Sequence, residues 1–240
     1  MVTLKNVLRF GMGLIALAAL PSCERAVDAP PPVPIGTTIN VTGGTISGTV
    51  GEDGLKTYQG IPYAAAPVRD LRWSAPAPVV PWDGVRDATK PGPACIQPQG
   101  DGGSFYGQSG FAMGEDCLSL NVWTRASQAG EGVPVMVWVH GGALVTGQGA
   151  MYPGETLTAK GVVLVTINYR LGRLGFLSHP DLSAENPQGV SGNQGLRDQI
   201  AALQWVQDNI AAFGGDPGRV TIFGESAGSL SMSLLQASPL

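Results

Sequence analysis

Near its end the chain carries Val220-Thr-Ile-Phe-Gly-Glu-Ser-Ala-Gly-Ser229, and this stretch limits what the rest can become. Three β-formers run into Gly224-Glu225-Ser226-Ala227-Gly228, and a helix-permissive run over residues 229–236 follows. Strand, sharp turn and helix in that order set a serine at the apex of the turn. Glycines on both sides suit so tight a turn, and the pattern predicts that a Cβ beside the serine would block a substrate. A helix N-terminus just behind the serine supplies backbone N–H groups and partial positive charge where an oxyanion forms. The Gly-x-Ser-x-Gly pattern occurs once, directly after a β-rich run.

The neighbouring segments predict a sheet to carry that turn. Apolar runs over residues 134–139, 162–168 and 220–223 read as strands covered on both faces, and residues 118–124 read as a further strand. Between the last two runs, Leu196, Ile200, Leu203, Val206, Ile210 and Phe213 recur at helical spacing until Gly214, Gly215 and Pro217 stop the pattern. Strand, helix, strand with both strands buried makes a βαβ unit, so the fold class is α/β with a mixed, mostly parallel sheet. Residues 46–50 and 55–58 flank Gly51-Glu52-Asp53-Gly54 and predict an N-terminal β-hairpin. Pro67, Pro76, Pro78, Pro81, Pro91, Pro93 and Pro98 argue against long elements over residues 64–117. Phe105, Tyr106 and Phe111 in that region fit either a pocket lining or packing onto the domain.

The other end of the chain reads as an address. Lys5 and Arg9 precede an apolar run over residues 10–20, too short to span a bilayer and right for an export signal covering residues 1–22. Leu20-Pro21-Ser22-Cys23 resembles a lipobox with Cys23 as the lipidated residue; ordinary secretory cleavage near Ser22 is the alternative. The expected location is the bacterial periplasm or outer envelope, or secretion, with membrane anchoring only through lipid on Cys23. Pro30, Pro31, Pro32 and Pro34 mark residues 23–38 as an extended tether ahead of one domain over residues 39–240. Without the leader, 12 basic and 18 acidic residues remain, a net charge of −6. Charged residues make up only 13% of the chain, so no basic stripe for nucleic acid exists. With Cys23 lipidated, Cys95 and Cys117 form an even pair, either a disulfide in an oxidising compartment or two buried thiols. Two scattered histidines and this pair give no metal-ligand spacing, and no organic cofactor is indicated.

Acyl transfer by serine needs a nucleophile, a base, a group that orients the base, and donors for the developing negative oxygen. Ser226 supplies the first. His140-Gly141-Gly142-Ala143, directly after a strand, supplies small residues whose amides can point into a cavity beside that of Ala227. At this point the chain resembles the type B carboxylesterases, the cholinesterase-like branch of the α/β-hydrolases. The matching pieces are Gln59-Gly-Ile-Pro-Tyr-Ala64, Pro81-Trp-Asp-Gly84, Glu115-Asp-Cys-Leu-Ser-Leu-Asn-Val-Trp123, Val137-Trp-Val-His-Gly-Gly-Ala143, Asn168-Tyr-Arg170, Gly175-Phe-Leu177, Gly192-Asn193, Gly195-Leu196, Asp198-Gln199, Phe213-Gly-Gly-Asp-Pro217 and residues 220–228. The resemblance implies the N-terminal part of an α/β-hydrolase fold and hydrolysis of small-molecule carboxylic esters through an acyl-serine on Ser226. It also implies an oxyanion hole from Gly142, Ala143 and Ala227, with Glu225 tuning the site electrostatically. It pairs Cys95 with Cys117, Arg72 with Glu115, and Arg170 with Asp198. Leu144 stands where the family usually has an aromatic, which bears on pocket shape.

The order in this fold is serine, then acid, then histidine, yet residues 227–240 contain no Asp, Glu or His. The resemblance therefore covers only the N-terminal portion of the family domain. The reading that follows is a truncated esterase, nearly inactive as given, with an uncovered sheet edge. Neither His140 nor His179 stands where the family places its base. The alternatives are a non-catalytic binding module on the same scaffold, and a half-enzyme completed by a second polypeptide.

Overall fold

The computed structural model describes residues 33–100, 105 and 110–239. The expected leader, Cys23 and Tyr106 lie outside the described residues. Of the proline-rich stretch, residues 33–38 are described, and there Ile35 is buried while its N–H donates to Ser127 O at 3.0 Å.

Two antiparallel hairpins open the domain. β1 (Thr38–Val41) pairs with β2 (Gly44–Ser47), and β3 (Thr49–Val50) pairs with β4 (Lys56–Pro62) across the turn at residues 51–54. The expected strand over residues 46–50 is thus split between two sheets. Gly48 N–H donates to Thr37 O at 2.8 Å, so the chain finishes one ladder before entering the next. β5 (Val85–Asp87) extends the β1–β2 sheet, and β6 (Ala94–Cys95) with β7 (Met113–Gly114) makes a short parallel pair in the proline-rich region.

The main sheet runs in the order β11-β9-β10-β8-β4-β3. It adds β8 (Ser119–Thr124), β9 (Val133–Val139), β10 (Val163–Ile167) and β11 (Gly215–Gly224) to the second hairpin. β9 lies parallel to both β10 and β11, whereas β8 is antiparallel to β10 and to β4. The sheet is mixed, but its parallel part is confined to three strands. The turn between β3 and β4 is too short for a crossover, so that pair is antiparallel.

Among the described residues the α-helices are α1 (Glu155–Thr158), α2 (Gly172–Phe176), α3 (Pro180–Glu185), α4 (Gln194–Asn209) and α5 (Ala227–Gln236). β10, α4 and β11 form the expected βαβ crossover. On the α4 side of the sheet, Val135, Val137, Val139, Val163, Val165 and Ile167 pack with Ala202, Trp205, Val206, Ile210, Phe213 and Met232. A smaller cluster on the other face joins Leu55, Trp123 and Leu164 to Met136, Trp138, Leu157 and Phe223.

Coverage on both faces holds only for β10, whose five residues are all buried; β9 alternates and β11 is half exposed. The face of α4 also departs from the apolar stripe. Leu196, Ile200 and Leu203 are half-buried, while Asp198 and Gln199 are fully buried. Those two polar side chains turn inward because Arg170 and Ser231 wait there as partners.

Candidate active site

The parallel strands bring the two chemical segments together. Gly224 at the end of β11 is in register with Val139 at the end of β9, so residues 140–144 and 225–228 leave the sheet side by side. Sites in α/β sheets form at such carboxyl ends. A Cβ on Gly228 would lie 2.0 Å from Val139 O, and one on Gly224 would lie 2.7 Å from the same oxygen. The flanking glycines are therefore demanded by the neighbouring strand.

The strain of the turn rests on the serine. Ser226 adopts φ 52°, ψ −118°, a region that L-residues rarely occupy outside functional sites. It is the N-cap of α5, yet its side chain makes no capping bond, so the exposed hydroxyl is left for other work. Gly228 N–H donates to Glu225 O at 2.8 Å and Leu230 N–H to Ser226 O at 3.0 Å, fixing the turn on both sides of its apex.

Opposite stands a second strained loop. Gly142, Ala143 and Leu144 take φ values of 94°, 57° and 61° in succession. Val145 N–H and Thr146 N–H both donate to Gly142 O, at 2.9 and 3.0 Å. The curl is so tight that a Cβ on Gly142 would sit 2.2 Å from Thr146 O. Among the described residues, the amides of Gly142, Ala143 and Ala227 meet no backbone acceptor.

Three supports hold this loop. Gly172 N–H donates to Leu144 O at 2.7 Å. The buried Gln97 clasps Gly147 in both directions, donating to its carbonyl at 2.8 Å and accepting from its N–H at 2.7 Å. His140 is buried, stacks on Tyr169 with ring centroids 4.4 Å apart, and its carbonyl accepts from Tyr169 Oη at 2.8 Å. Burial pushes the His140 imidazole down to about 4, against a smaller upward pull from Gly141 O. Sequence reasoning missed Gln97 and Tyr169. Nothing in the composition around Gln97 marks it, but Tyr169 lies inside the Asn168-Tyr-Arg170 motif.

The pairs expected from the resemblance are present. Cys95 and Cys117 form a disulfide. Arg72 meets Glu115 through two hydrogen bonds of 2.7 and 2.9 Å. Arg170 meets Asp198 through its Nε and Nη2 at 2.8 and 2.6 Å, with a third bond from its backbone N–H. Arg170 Nη1 also donates to Arg72 O and Ser74 O, tying the proline-rich region to the core. His179 lies elsewhere: it is exposed and caps α3, its Nδ1 accepting from Asp181 N–H at 3.3 Å. Phe105 is exposed and meets Tyr152 edge-on, and Tyr152 in turn meets Trp138. Among the described residues no group of three or more His, Cys, Asp or Glu gathers as a metal site would require.

With this geometry in place, the relationship to known proteins is direct. The model of the carboxylesterase family matches residues 36–240. The chain is a member of the carboxylesterase family. It is 51% identical over 199 residues to the fumonisin B1 esterase of Sphingopyxis macrogoltabida, covering 82% of this chain and 36% of that relative. It is 47% identical to human carboxylesterase 3, over 86% of this chain and 36% of the relative. The carboxylesterase EST55 of Geobacillus stearothermophilus superposes with a TM-score of 0.75 at 43% identity, over 85% of this chain and 41% of that structure. A thermophilic PNB esterase gives 0.76 at 45%, with the same coverage. This carboxylesterase chain thus spans less than half the length of these relatives, and the fold it shares with them is a partial α/β-hydrolase.

Proposed function

We propose that the chain carries the nucleophilic half of a serine carboxylesterase. Ser226 Oγ attacks the ester carbonyl, the alcohol leaves, and the acyl-serine is hydrolysed by water. The amides of Gly142, Ala143 and Ala227 hold the oxyanion, and Glu225 adds negative charge beside the nucleophile. The observation that carries this reading is the strained, uncapped Ser226 beside three amides without acceptors, at the carboxyl ends of two parallel strands. A binding module has no use for a strained serine, which would relax at no loss.

The base and its orienting acid come, in this proposal, from polypeptide outside residues 1–240. His140 is committed to the loop interior, and His179 to the start of α3. We also propose that residues 1–22 are an export leader and that Cys23 carries lipid; the disulfide favours an oxidising compartment.

The test is hydrolysis of a short-chain p-nitrophenyl ester by the full chain beside its Ser226→Ala variant. The expected rate is at most on the order of 10³–10⁴ above water, the residue left by an oxyanion hole without a base. Working turnover abolished by Ser226→Ala would place a base within the 240 residues, with His179 the next to substitute. Working turnover that survives Ser226→Ala would overturn the serine mechanism itself.

A further inference from the structure

One open cleft of about 400 Å³ adjoins the strained loop. Its walls include Ala143, Leu144 and Val145 on one side, with Arg173, Phe176 and Leu177 on the other. The two walls are stitched together, because Leu144 O accepts from Gly172 N–H, the residue before Arg173. Arg173 O in turn accepts from Trp73 Nε1 at 3.1 Å, so its backbone is held from two directions. The floor is apolar, and among the described residues Arg173 is the only charged one in the lining. Its side chain is exposed and has no ion pair among the described residues, unlike Arg72, Arg125 and Arg170. A larger cleft of about 530 Å³ holds Arg69 and Arg197, but Asp70 and Glu185 line it too, so its charges offset one another.

We infer that Arg173 is a specificity-determining residue: the cleft beside Ala143 selects esters that carry a second, ionised carboxylate on an apolar chain. The apolar floor takes the chain, and the guanidinium meets the carboxylate with the paired geometry such groups favour. This rests on the esterase reading above, and deepens it by naming a substrate class.

The experiment separates the two. The full chain carrying Ser226→Ala is titrated calorimetrically with monobutyl succinate, an anion at neutral pH, and with butyl methyl succinate, its neutral counterpart. The expected result is about five-fold tighter binding of the anion, the worth of one charge-assisted contact in a partly solvated cleft. That preference should vanish in Arg173→Gln, persist in part in Arg173→Lys, and shrink in ~1 M salt, where the screening length is about 3 Å. Equal affinities for the two esters, or a preference that survives Arg173→Gln, would overturn the assignment. Arg173 is exposed, so the variants should melt with the parent. Failure of the Ser226-containing chain to hydrolyse either ester bears on the esterase reading alone, because the binding ratio is measured without turnover.

Discussion

β10 and β11 are both apolar strands running parallel to β9, yet they live in different surroundings. β10 is flanked by β8 and β9 and is buried along its length. β11 pairs with β9 alone among the described residues, and Thr221 on it is exposed. The inner strand is further locked from above by the buried Arg170–Asp198 pair that follows it, whereas the outer one ends in the strained turn at Ser226. Rigidity and strain are thus placed on different strands: the sheet interior holds the frame, and the apex of β11 stores the deviation that exposes Ser226. The loop over residues 140–144 draws on both, since β9 lies between them.

The largest test of that division is Asp198→Ala, which leaves the Arg170 guanidinium buried without its partner. It should cost about 3–5 kcal/mol in urea unfolding; a loss below 1 kcal/mol would mean that the frame is not held there.

Next comes acid. His140 is neutral and buried with a pKa near 4, below the 6.5 it takes when unfolded, so the unfolded chain binds more protons. Its contribution is complete above the unfolded value and is lost as pH falls toward 4. Between pH 7 and 4.5 it should remove about 2.5 kcal/mol, and His140→Phe should flatten that part of the stability profile. A variant profile parallel to the parent's would show that the histidine is not the group responsible.

A matched pair sharpens the contrast between the strands. Val165→Ala in β10 should cost about 2 kcal/mol, and Val220→Ala, half-buried in the middle of β11, about 0.5 kcal/mol. Equal costs would show that β11 is covered in solution by something the described residues do not supply.

The last expected effect has the opposite sign. Ser226→Gly removes a Cβ from a positive φ and should raise stability by about 1 kcal/mol. Thermal denaturation of the two proteins decides whether the apex is strained.

Much of this architecture was legible because local chemistry and tertiary structure agree. The strand–turn–helix around Ser226, the runs that became β9 and β10, and the stop at Gly214 all follow from patterns that burial then reinforces. The split of residues 46–50 between two sheets was not legible, since both halves alternate equally well and only Gly48 marks the change. Asp198 was reached only through the pairing with Arg170 that the resemblance implies, and the inward turn of Gln199 was not legible, because periodicity counts apolar residues and cannot see a distant Ser231. Gln97 was silent for the same reason: its partner at Gly147 is fifty residues away. The motif around His140 marked the loop after β9, but the positive φ of Ala143 and Leu144 came only with the structure, as neither residue type announces it.

The conformation at the apex also sorts nucleophiles that reactivity alone would treat as interchangeable. At φ 52° a cysteine has the same single heavy branch as serine and can be exchanged into the turn without moving it. Threonine adds a second branch at Cβ, which that backbone region rejects. The fold therefore leaves a thiol open to redesign at position 226 and closes it to a secondary alcohol, a choice made by the main chain before any chemistry begins.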